Sequence, residues 1–180
     1  MSSQFSKEVF GFKKQLSIGN IGEERFQKDF EKQVEERIGH KRGSDFTLKC
    51  GTLLELKSDS YRAAKNFFIE TISMDTTGVI GGPWQARGKG ARFFIYKFID
   101  SNGYHCFELT KATLQAMSEL CVPKRKKSVR NVSYNTIGYA IPIGELIEKV
   151  KQVLNDEGFS CYRFLKPGDK IVQTNARKVA

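Results

Sequence analysis

Two carboxylates and a lysine fall close together near residue 50: Asp45, then Glu55-Leu56-Lys57-Ser58, with Cys50-Gly51-Thr52 between them. The residues on either side of the glycine read as two short strands, so the segment is predicted to be a β-hairpin with its turn at Cys50–Thr52. Side chains alternate faces along a strand. Leu54 and Leu56 therefore point one way, and Leu53, Glu55 and Lys57 the other. Asp45 is opposed in facing to Phe46 and Leu48. A tight hairpin then brings Asp45 and Glu55 together, with Lys57 one pleat beyond.

Two carboxylates at about 4 Å repel by roughly 4 kcal/mol at an effective dielectric near 20. A divalent cation between them reverses the sign and makes an oxygen-ligand site suited to Mg²⁺ or Mn²⁺. The backbone carbonyl of Leu56 lies between the two functional side chains and offers a third ligand. Lys57 is then a cation able to orient or deprotonate a water, or to stabilise charge developing on a phosphorus centre. The plainer alternative is a surface hairpin with an ordinary Glu–Lys strand pattern.

The hairpin needs an element to cover it, and the opening stretch supplies one. Ile21, Phe26, Phe30 and Val34 recur at helical spacing, which predicts a helix to about Ile38, stopped by Gly39. Within Gly19-Asn-Ile-Gly-Glu23-Glu24-Arg25-Phe26, Glu23 stands three residues before Phe26 and seven before Phe30, on the apolar stripe. Glu24 is turned about 100° away, toward solvent. A carboxylate on an apolar face wants a partner, and a metal cluster can provide it through a water. The alternative for Glu23 is a partly exposed glutamate favoured by the helix dipole.

The order Gly19-x-x-x-Glu23, then Asp45, then Glu55-x-Lys57-Ser58, resembles the PD-(D/E)xK nuclease superfamily, in particular its archaeal-type Holliday-junction resolvase and phage-encoded endonuclease branches. Lys57-Ser-Asp, Asn66-Phe-Phe-Ile-Glu70 and Gly81-Gly82-Pro83-Trp84-Gln-Ala86 also look like phage-type members. The resemblance covers roughly residues 18–98, about half the chain. It implies a restriction-endonuclease-like α/β core, a central mixed β-sheet flanked by helices, and divalent-metal phosphodiesterase activity. Carried over to this chain, Asp45 and Glu55 bind metal, Lys57 acts on the water and Glu23 supports the cluster. Glu70 is a further candidate, with a strand-edge ion pair as its alternative. Ser44 stands where the motif has its proline. The glutamine-bearing helix that some branches place after the lysine has no clear counterpart in the sequence.

Charge supports an anionic partner. Thirty Lys and Arg against twenty Asp and Glu leave +10. Residues 1–40 are balanced, so the whole excess falls on residues 41–180. Such an excess favours nucleic acid first and an anionic membrane surface second. Lys41, Arg42, Arg87, Lys89 and Arg92 flank the motifs, the last three on or near a glycine-rich Thr77–Gly90 loop. Lys124-Arg125-Lys126-Lys127-Ser-Val-Arg130 reads as a mobile loop contacting phosphates, or else a solvated charge run. Trp84 could stack on a base or simply pack.

Aromatic content of 12% argues against disorder. No apolar run is long enough to span a membrane, and the first residues lack a secretory pattern, which predicts a cytoplasmic chain, in a host cell if phage-encoded. The four cysteines have no metal-site or redox spacing and are expected reduced in or near the core. Strands are predicted at Asn66–Ser73, Arg92–Ile99 and Tyr104–Leu109, and helices at Thr110–Leu120 and Ile143–Asn155. Leu146, Ile147, Val150 and Leu154 form the apolar face of the latter. The part from Gly158 reads as mixed, with a polar basic end. One nuclease domain is expected over 1–180, with a core at about 18–110 and a basic, helical C-terminal extension at about 111–180. The expected activity is that of a DNA endonuclease, working as a homodimer because cutting two strands needs two sites. The rivals are a non-catalytic nucleic-acid-binding protein on the same scaffold and an RNA-directed nuclease.

Overall fold

A computed structural model describes residues 2–38, 44–60, 65–131 and 133–173, with side chains from residue 16 onward. The chain runs α1 (Ser2–Asp29), β1 (Val34–Arg37), β2 (Phe46–Leu48), β3 (Leu53–Asp59), β4 (Asn66–Met74), β5 (Val79–Ile80), α2 (Gly82–Gly88), β6 (Phe93–Phe98) and β7 (Tyr104–Glu108). It continues α3 (Lys111–Leu120), a 3-10 turn at Pro123–Arg125, β8 (Lys126–Arg130), β9 (Asn135–Pro142), α4 (Ile143–Lys151) and β10 (Tyr162–Leu165). A six-stranded sheet has the order β1-β2-β3-β6-β7-β10, and a four-stranded sheet the order β5-β4-β9-β8. In the larger sheet only β3 and β6 pair in parallel, from Leu54 beside Phe93 to Asp59 beside Phe98. The other four pairings are antiparallel. The architecture is therefore α/β with a mixed central sheet.

The central strand β6, Phe-Phe-Ile-Tyr-Lys-Phe, is buried throughout, as a strand covered on both faces must be. Phe93 and Ile95 join Phe26 and Phe30 of α1, Phe46, Leu48, Leu54 and Leu56 in one cluster. Phe94, Tyr96 and Phe98 join Phe67 and Ile69 of β4, Ile141 of β9, and residues of α2, α3 and α4 in the other. The sheet thus separates α1 from a layer made of the smaller sheet and three helices. Thr110 caps α3, its hydroxyl accepting from the Thr113 N–H at 3.0 Å.

Four expectations are corrected. The first helix ends at Asp29 and not near Ile38; Val34–Arg37 is a strand on the edge of the main sheet. Val34 still packs with Phe26 and Phe30, so its spacing imitates a further helical turn. Ile21 is exposed, and Ile18 takes its place on the buried stripe. The fourth helix stops at Lys151, and Leu154 is exposed on an isolated bridge to Ser160. The stretch beyond Gly158 contributes β10 to the main sheet; residues 174–180, the basic end, lie outside the described residues. All four cysteines are free thiols, with Cys106 and Cys161 buried, Cys121 half-buried and Cys50 exposed. No helix among the described residues is long and apolar enough to cross a membrane.

Candidate active site

The β2–β3 hairpin forms with Phe46 opposite Leu54 and Thr47 opposite Leu53, and Gly51 supplies the positive φ its turn needs. Asp45 precedes β2 and is buried at 6% exposure. Its N–H donates to the Leu54 carbonyl at 3.0 Å. Its Oδ2 accepts from the Leu56 N–H at 2.7 Å, which pins the carboxylate across the hairpin. Leu56 itself is buried in the cluster that contains Phe26 and Phe30 of α1.

Glu55 and Lys57 point away from that core, as the alternation requires. They line a cleft of about 290 Å³ with Glu23, Asp45, Glu70 and Gln85. Burial pushes the Glu55 carboxyl from an ordinary 4.5 up to about 8; the Asp45 charge adds to the rise, and Lys89 and Lys57 oppose it. Asp45 and Glu55 line the same cleft, and the charge on Asp45 is one of the causes of the rise. Lys57 Nζ lies 3.7 Å from Glu70 Oε2. Glu70 Oε1 accepts from the Ser73 hydroxyl.

Glu23 is buried at 7% exposure on α1, while Glu24 is exposed. Its partner is Arg37 on β1, with Nε at 2.6 Å and Nη2 at 2.5 Å from Oε2. That partner was hidden in the sequence because Val34–Arg37 imitates a helix. Glu23 therefore lines the cleft and also ties α1 to the sheet edge.

Gln85 is the residue the sequence reading missed. The Thr77–Gly90 stretch, read as a loop, contains α2, which starts at Gly81-Gly82-Pro83 and presents Gln85 to the cleft. Gly82 has φ +54°, and a Cβ there would stand 2.3 Å from the Glu70 carbonyl oxygen. Only glycine allows the helix to start this close to β4. Pro83 in the first turn was the available signal. Trp84 packs against the core behind this helix.

The basic residues divide. Lys89 caps the end of α2, near enough to Glu55 to lower its proton affinity. Arg87 and Arg92 line a separate depression with Glu108 and Glu157, away from the carboxylates. Arg92 is engaged there, 2.9 Å from Glu108. The Lys124–Arg130 run is not a loop: Lys124 and Arg125 are in the 3-10 turn and Lys126–Arg130 form β8, exposed along its length. Arg125 makes a two-pronged ion pair with Glu145 at 2.7 and 2.9 Å. Lys41 and Arg42 lie outside the described residues.

Among the described residues, no three His, Cys, Asp or Glu side chains converge tightly enough to hold a metal by themselves. The donor set that could hold a cation is a carboxylate pair, Asp45 and Glu55, lining the cleft with Leu56, whose N–H is bonded to Asp45. These are hard oxygen donors of the kind Mg²⁺ and Mn²⁺ select, and a cation between them would oppose the burial and the Asp45 charge that push the Glu55 carboxyl up. Comparison with protein-family models, with curated proteins and with solved structures gives no match.

Proposed function

We propose that the chain is a divalent-metal-dependent DNA endonuclease with a restriction-endonuclease-like core. One observation carries the reading: Asp45, Glu55 and Lys57 of a single hairpin share a cleft in which Glu55 is held protonated by burial and by its neighbour. A structural ion pair would be arranged to relieve such a charge conflict; a cation site is arranged to wait for its ion.

Asp45, Glu55 and the Leu56 carbonyl would hold Mg²⁺ or Mn²⁺, which when bound polarises a phosphoryl oxygen and acidifies a water. Lys57 lines the same cleft, where its ammonium would stabilise charge developing on the phosphate. Glu70 holds Lys57 from the β4 side, and Asp45 is fixed by the Leu56 N–H, so neither group must reorganise during reaction. Glu23 and Gln85 border the cleft from α1 and α2, in position to orient a water or a phosphate oxygen by hydrogen bonding. The positive excess draws the polyanion in. Double-strand cleavage would engage two copies, as a homodimer.

The test is incubation with linear duplex, supercoiled plasmid, single strand and four-way junction, with Mg²⁺ and with chelator. Metal-dependent nicking that is lost in Asp45→Asn supports the reading. Full-rate cleavage in excess chelator, or none on any substrate, overturns it.

A further inference from the structure

The candidate cleft does not end at Lys57 and Glu70. A second cavity of about 600 Å³ opens beyond them and shares Lys57, Ser58, Phe68 and Glu70 with the first. Its floor is the face of the smaller sheet turned away from the core. On β4, Phe67 and Ile69 point inward, so Asn66, Phe68 and Glu70 point outward. The register sets Phe68 beside Ala140 and Glu70 beside Gly138 of β9, with Lys127 and Val129 of β8 next in line. Phe68 lies over Gly138, where a Cβ would stand 2.6 Å from its ring. The absent side chain lets the phenyl ring lie across the sheet as a platform.

The chemistry of this cavity suits a ring and not a phosphate. Two cations, Lys57 and Lys127, are matched by two carboxylates, Asp59 and Glu70, so its interior is neutral. Phe68, Val129 and Ala140 give it apolar walls, and Ser128, Asn131 and Thr136 set polar groups among them. Its volume is in the range of small-molecule sites, enough for one nucleoside and too small for a stacked duplex.

Building on the endonuclease reading, we propose that this cavity holds one unpaired nucleobase of the DNA strand being cut, stacked on Phe68 beside the scissile phosphate. The preferred substrate is accordingly DNA with unpaired or easily unpaired nucleotides at the cut, such as a flap, a branch or a single strand. A base drawn from intact duplex must first be unstacked, which costs a few kcal/mol. A base that is already unpaired avoids that cost and gains the contact with the ring.

The experiment measures binding in chelator, so that no cleavage occurs, by anisotropy of a fluorescein-labelled twelve-residue oligo-dT and of a blunt duplex of equal length. The expected result is at least tenfold tighter binding of the single strand at equal salt. Phe68→Leu keeps apolar volume but removes the ring face; it should weaken single-strand binding at least fivefold. Duplex affinity and the salt slope should stay unchanged, because no phosphate contact is lost. Equal affinity for both probes, or equal weakening of both by Phe68→Leu, overturns the proposal. Adding Mg²⁺ to the same probes separates the two readings. Ring-dependent single-strand binding without any cleavage defeats the endonuclease and leaves the base pocket. Cleavage of both probes that is indifferent to Phe68→Leu does the reverse.

Discussion

Glu55→Gln should make the metal-free protein more stable at alkaline pH, because it removes a carboxyl that the fold resists ionising. In the folded chain burial, reinforced by Asp45, raises that carboxyl from an ordinary 4.5 to about 8. Between these values the unfolded chain has released the Glu55 proton and the folded chain retains it. The unfolded state then binds fewer protons, so stability falls as pH rises through this window. Below pH 4.5 both states are protonated and the penalty vanishes. Above 8 both are ionised and the penalty is complete. The interval corresponds, at 1.36 kcal/mol per pH unit, to an upper bound of about 5 kcal/mol. Glutamine has nearly the same shape and no charge, so the variant should match wild type near pH 4.5 and gain steadily toward pH 8. For a chain of this size the gain should appear as a melting temperature roughly 10 °C higher at pH 8.5. Urea titrations from pH 4.5 to 8.5 measure the difference directly. Mg²⁺ should supply wild type with much of the same stabilisation and the variant with little. Parallel stability–pH curves for the two proteins would refute the electrostatic conflict and, with it, the reason for placing a cation between Asp45 and Glu55.

Other perturbations probe the surroundings of the pair. Glu23→Gln should lower single-turnover cleavage at Mg²⁺ saturation at least tenfold, more than about 1.4 kcal/mol of barrier, while Glu24→Gln stays near wild type. Because Glu23 also holds Arg37, the first variant should lose about 1–3 kcal/mol of stability in denaturant titrations. Gln85→Ala should reduce cleavage of the same DNA with melting unchanged, since a cleft-lining side chain is removed and no core contact is lost; wild-type rates would return Gln85 to a structural role. Replacing Lys124, Lys126 and Lys127 should flatten the salt dependence of DNA binding by about 0.9 in log–log slope per lost phosphate contact. Replacing Arg125 should change it less, since Glu145 already occupies that guanidinium.

The hairpin and its two carboxylates were legible because a strand of alternating residues around a glycine leaves few options for facing. Glu23 and Glu24 were separable for the same reason, one turn of helix being enough to distinguish buried from wet. What escaped was set by distant partners. Val34 satisfies both a helical and a strand spacing, and only pairing with Leu48 decides between them. Lys126–Arg130 has the composition of a solvated run, yet pairing with β9 makes it a strand. Gln85 was lost among glycines whose purpose, fitting a helix start against β4, needs β4 in view. The second sheet as a whole joins β4 to β9 across some seventy residues, and nothing local announces it.

The exposed strand β8 has a consequence for solubility. A sheet edge is a template on which another chain can add, and β8 is one edge of the smaller sheet, while the other, β5, is only two residues long. Lys126, Lys127 and Arg130 give that edge a row of like charges, so a second copy approaching edge to edge meets its own repulsion. Variants that remove these charges should therefore carry serine or glutamine in place of alanine, lest β8 become a site of aggregation.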